Sequence, residues 1–138
     1  MNNKNKNRIW AVFIICFALL GCSKMDSKVH ITDIKIATAV DENIVPVKVT
    51  NIFPKGTTGV FCWFKWQDSE INTPIVAKWD YETDNIHVLD YTFSIPRRNG
   101  RGSVSLSMPE GKPMPSGSYR ITLALGKQDL KSLTFEIQ

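Results

Sequence analysis

The chain has 138 residues, with 17 basic and 13 acidic side chains and a formal net charge of +4. Three of the basic residues (Lys4, Lys6 and Arg8) lie in the first eight positions, so the chain from Cys22 onward carries only +1. Nucleic-acid binding needs a concentrated positive surface that displaces counterions, and this balance offers none, so no nucleic-acid partner is expected. The 117 residues from Cys22 to Gln138 suffice for one domain and not for two, and a domain of that size can bury a sufficient core without disulfides.

The polar segment Met1–Arg8 leads into Ile9–Leu20 (IWAVFIICFALL), an unbroken apolar run that ends at Gly21 and Cys22. A basic head, a short apolar stretch and a small residue at its end make a secretory signal, here a signal helix over 1–21. Spanning a bilayer takes about 20 apolar residues, and this run stops well short. A buried core helix is excluded as well, because apolar side chains would face every direction at the end of the chain.

Leu19-Leu20-Gly21-Cys22 resembles the lipobox of bacterial lipoproteins: an aliphatic residue, a tolerant position, Gly or Ala, then Cys. The resemblance implies cleavage after Gly21, a diacylglycerol thioether on Cys22 and an acyl chain on the new amine. One chain holds a protein to a bilayer only marginally, at about 0.8 kcal/mol per buried methylene, so two or three are needed for a lasting anchor. Ser23 follows Cys22; in enterobacterial lipoproteins Asp at that place favours the inner membrane, so Ser23 implies the outer one. Residues 22–28 then form a lipidated tether and 29–138 the folded domain.

Cys16 leaves with the signal and Cys22 carries lipid, which leaves Cys62 without an intramolecular partner. A buried thiol behaving as a small apolar side chain is the expectation there.

From Val29 on, apolar residues recur with a period of two. Val29–Ala37 is an irregular first strand, and Val45, Val47 and Val49 mark a second, where Pro46 points to an edge or bulge. Val60–Trp66, Ile75–Tyr81, Leu89–Ile95, Val104–Met108, Tyr119–Leu125 and Leu133–Ile137 follow. Turn residues punctuate them at Phe53–Gly56, Thr83–Asn85, Asn99–Gly100, Met114–Gly117 and Gly126–Asp129. Seven to eight short strands with regular turns predict an all-β, two-sheet antiparallel sandwich, with an eight-stranded barrel as the alternative.

Pro115–Leu123 (PSGSYRITL), closing on Phe135-Glu136-Ile137, resembles the last hairpin of immunoglobulin-like and fibronectin-III-like domains. There a Tyr opens the penultimate strand after a Pro/Gly turn and its hydroxyl caps a nearby backbone group. The resemblance implies the architecture only, since the disulfide pair of antibody domains is missing.

No catalytic set is found. His30 and His87 fall in different strand runs, no serine lies in a G-x-S-x-G elbow, and phosphate-binding glycine motifs are absent. His87 alternates onto the face of Leu89 and Tyr91, which predicts a core or rim histidine. Asp80–Asn85 spaces carboxylates as calcium loops do, but lacks the later Glu and central Gly, so a solvated hairpin tip is expected instead of a metal site. Arg97, Arg98 and Arg101 crowd a hairpin loop whose guanidinium forks suit phosphate or carboxylate. Phe61–Trp66 puts large rings on both faces of one strand, so Trp63 or Trp66 should lie outward or under a loop. An outward ring beside Trp79 could stack on a sugar or contact a protein. These features predict a lipid-anchored, non-catalytic module that needs no cofactor and binds another envelope protein. The alternative is a glycan ligand such as lipopolysaccharide or peptidoglycan.

Overall fold

The computed structural model describes residues 29–138. The signal, the cleavage after Gly21, the lipid on Cys22 and the tether lie outside those residues. The domain is a sandwich of two sheets. One has the strand order β2(Pro46–Val49)-β1(His30–Val40)-β4(Gly59–Gln67)-β7(Gly100–Ser107). The other runs β3(Ile52–Phe53)-β9(Gln128–Ile137)-β8(Gly117–Leu125)-β5(Pro74–Tyr81)-β6(Ile86–Ser94).

Alternation puts one side chain in two between the sheets. Val60, Cys62, Phe64 and Trp66 of β4 face Ile75, Ala77 and Trp79 of β5, with Tyr119, Ile121 and Leu123 of β8 and Phe135 and Ile137 of β9. All are buried. Trp79, fully buried, meets Phe135 edge-on at 6.2 Å. Its indole N–H lacks a hydrogen-bond partner among the described residues. An unpaired buried donor costs about 1–3 kcal/mol, which the ring's packing must offset.

The described residues form nine strands because Phe53, expected in a turn, joins Ile52 in a short strand that pairs with β9. That pairing is parallel, Ile52 with Glu136 and Phe53 with Ile137, in an otherwise antiparallel fold. Two residues are too few to show a period. Pro46 does sit on an edge, since β2 pairs only with β1 among the described strands.

The Tyr119 hydroxyl donates to the Pro115 carbonyl at 2.6 Å, tying the start of β8 to the turn before it. This is the backbone cap found in immunoglobulin-like sandwiches. Ile121, two residues further on, stands where antibody domains carry their second cysteine, so Cys62 has no mate among the described residues. Burial pushes the Cys62 thiol up to about 12, which keeps it protonated and inert.

Candidate functional site

The arginine-rich segment is not a hairpin. β6 and β7 belong to different sheets, so Ile95–Asn99 crosses from one to the other. The crossing is fixed by its backbone. The Trp66 indole N–H donates to the Arg97 carbonyl at 2.9 Å, the Ser69 amide to the Arg98 carbonyl at 3.0 Å, and the Asp68 amide to Asn99 Oδ1 at 3.0 Å. Gly100 is needed at the start of β7, because a Cβ there would lie 2.6 Å from Trp66 Cζ2.

Two of the three arginines line one hollow. Arg98 turns to Asp68 at 3.3 Å. Arg97 and Arg101 line a hollow of about 530 Å³ with Lys65, beside the amides of Asn43, Gln67 and Asn99. No carboxylate lines it among the described residues. Lys65 and Arg101 are register partners across β4 and β7, and like charges directly opposite each other are unfavourable. The hollow's far wall is the β1–β2 turn. There Asp41 Oδ1 accepts the amides of Asn43 and Val45, both at 2.9 Å. Ile44 is held at φ 57°, a region that β-branched residues rarely adopt. Sequence reasoning found the arginines but missed Lys65 and Asn43, which only strand register and the folded-back turn bring close.

The tryptophans do not form a stacking surface. Trp63 and Trp66 are each 4 % exposed and Trp79 is fully buried, which overturns their reading as sugar platforms. Trp63 does point away from the core, but the β1–β2 turn covers it, and its N–H donates to the Ile44 carbonyl at 2.7 Å. Lys35 and Lys65 lie 5.3 and 5.7 Å from its ring, in cation–π contact.

The exposed apolar surface is on β6 instead. Ile86, Val88, Leu89 and Tyr91 are 51, 40, 45 and 54 % exposed. Alternation had assigned Leu89 and Tyr91 to the core, and they do lie on the inner side of the sheet, opposite Trp79 and Ala77. β1 stacks on β9, so the four strands of the first sheet run out before they reach β6. Only Phe93, packed on Phe64 at 5.3 Å, is partly covered. Among the described residues β6 pairs with β5 alone, so its other backbone edge is open there.

A register shift between Trp79 and Asp80 displaces His87. It pairs with Asp80 on the outer side, not with the Leu89 face, which corrects the expected core or rim position. His87 Nδ1 lies 2.8 Å from Asp80 and Nε2 3.1 Å from Asp90. The Asp80 hydrogen bond chiefly raises its pKa above the usual 6.5; desolvation opposes the shift, and the Asp90 charge adds to it. Glu82 holds Arg120. Asp80 and Glu82, two of the three carboxylates of Asp80–Asn85, thus face cations, and no group of three His, Cys, Asp or Glu residues able to hold a metal occurs among the described residues.

No protein-family model matches the chain, and no curated protein does. Solved structures do. An immunoglobulin-like protein from Pseudomonas aeruginosa superposes with a TM-score of 0.58 at 11% identity, over 83% of this chain and 99% of that one. Part of the alkylpurine DNA glycosylase AlkC of Pseudomonas fluorescens, in a complex with DNA containing an abasic site analog, superposes with a TM-score of 0.51 at 16% identity. That match covers 83% of this chain and 31% of the glycosylase. At such identities the likeness establishes the fold, an immunoglobulin-like β-sandwich. Folds of this type carry function in their edges and loops and do not specify it.

Proposed function

We propose that the protein is an envelope lipoprotein, anchored by lipid on Cys22 in the outer membrane, whose sandwich is a non-catalytic module that binds another envelope protein. The observation that supports it most is the open edge of β6. A nine-residue edge strand that leaves Ile86, Leu89 and Tyr91 uncovered invites a partner strand. Backbone hydrogen bonds would give the affinity, and the apolar side chains the specificity. The other long edge, β7, contrasts with it. Arg101, Ser103, Ser105 and Ser107 are its exposed residues, while Val104 and Leu106 are buried.

Two experiments test this. Labelling cells with radioactive palmitate should mark the wild-type chain and not Cys22→Ser. Cross-linked pulldown should recover one discrete protein with wild type and lose it with Leu89→Lys/Tyr91→Lys. Unchanged recovery with that variant would remove β6 from the account. The glycan reading survives only in an anionic form, because the tryptophans are covered while the hollow of Lys65, Arg97 and Arg101 is open. Quenching of intrinsic fluorescence by peptidoglycan or lipopolysaccharide fragments would favour it.

A further inference from the structure

We infer that the hollow lined by Lys65, Arg97 and Arg101 is a phosphate site that seats the domain on anionic lipid headgroups of the membrane carrying its anchor. The inference rests on the proposed anchor at Cys22. Three observations carry it: charge, location and reach.

The hollow collects three cations that make no ion pair among the described residues. The acids around it are accounted for in part. Asp68 is held by Arg98, and Asp33, the register partner of Lys65 on the other side, lies 3.3 Å from Lys35. Glu70, in the turn after β4, remains exposed. Lys65 facing Arg101 works against folding. A phosphate between them reverses that sign, because each oxygen can accept from a guanidinium or ammonium donor. The amides of Asn43, Gln67 and Asn99 add neutral donors around the rim.

The hollow also lies where the chain enters the domain. His30 pairs with Gln67 and Ile31 with Trp66, so the first strand begins beside the residues that line the site. Six residues, Ser23–Lys28, separate Cys22 from Val29. Fully extended, they reach about 3.3–3.6 Å each, so this end of the sandwich cannot leave the vicinity of the headgroups. Lysines and arginines that close to an anionic surface each favour association by several-fold. A lipid phosphate is therefore the phosphate the hollow meets at highest concentration. Held there, the site would orient the domain, with its first strand toward the bilayer.

The test uses the processed chain, residues 22–138 with Cys22→Ala, so that binding is read without the lipid. It is sedimented with vesicles of phosphatidylcholine, with or without phosphatidylglycerol. Binding is expected only to the anionic vesicles, and Lys65→Gln/Arg97→Gln/Arg101→Gln should weaken it about tenfold or more. Lys48→Gln/Lys55→Gln/Lys112→Gln removes the same charge elsewhere and should leave it within about twofold. Circular dichroism checks that both triples are folded. Equal loss in the two triples would reduce the effect to net charge and overturn the site. So would absence of binding, or inorganic phosphate shifting the Trp66 indole signal with no vesicle association. Because Cys22 is replaced, failure here leaves lipidation standing, and failure of palmitate labelling leaves this result standing.

Discussion

Lys65 and Arg101 face each other across β4 and β7, with no carboxylate within ion-pair distance of either among the described residues. Such a pair opposes folding, so Arg101→Gln should stabilise the domain by about 0.2–1 kcal/mol. The gain should shrink at high salt, since both side chains are exposed. Urea midpoints at low and high ionic strength check it. A lowered midpoint at low salt would mean that Arg101 has a stabilising contact beyond the register pair.

Gly100→Ala should destabilise by about 1–3 kcal/mol, because the new methyl collides with a ring that cannot retreat. Trp66 is buried, and its N–H is bonded to Arg97. Gly102→Ala should cost less, with its nearest contact at 3.3 Å from Phe64 Cζ. The order of the two denaturation midpoints is the readout.

The Tyr119 hydroxyl is half of a bond to the Pro115 carbonyl, and Tyr119→Phe should cost about 1 kcal/mol in urea unfolding. Desolvation first, then the neighbouring Tyr81, pushes the Tyr119 pKa up to about 12 from 10. The unfolded chain therefore ionises first. The stabilising contribution is complete below pH 10 and is lost as pH rises from 10 toward 12. Ultraviolet titration of phenolate should show a late-ionising tyrosine that Tyr119→Phe removes.

His87 has its pKa raised chiefly by the Asp80 hydrogen bond. Proton NMR of the imidazole should give a midpoint above 6.5, lowered more by Asp80→Asn than by Asp90→Asn. A raised folded value means that the protonated pair stabilises the fold below pH 6.5, and that this is lost as pH rises through the folded pKa. The ring is exposed, so the effect on unfolding is small. Equal shifts in the two variants would contradict the ranking of Asp80 over Asp90.

Period-two patterning made the sandwich readable, because strands packed between two sheets must alternate. Val60, Cys62, Phe64 and Trp66 are the clearest case, and all are buried. The Tyr119 turn was readable for a different reason, since a cap needs a particular residue at a particular place. Leu89 and Tyr91 show where the reading stops. Their alternation is regular, but burial depends on whether the opposite sheet extends that far, which no local pattern encodes. His87 failed at a bulge, since one unpaired residue reverses the face of everything beyond it. The basic hollow was half legible: Arg97 and Arg101 are neighbours in sequence, while Lys65 joins them through register.

The most direct test of the central reading places a photo-reactive amino acid at Tyr91 in the full-length, membrane-anchored protein, with Ser132 on β9 as the comparison site. Irradiation of intact cells should link one discrete envelope protein from position 91, in near-stoichiometric yield, and little from position 132. Cross-links of equal yield and identity from both positions, or none from either, would contradict a binding module that works through the open edge of β6.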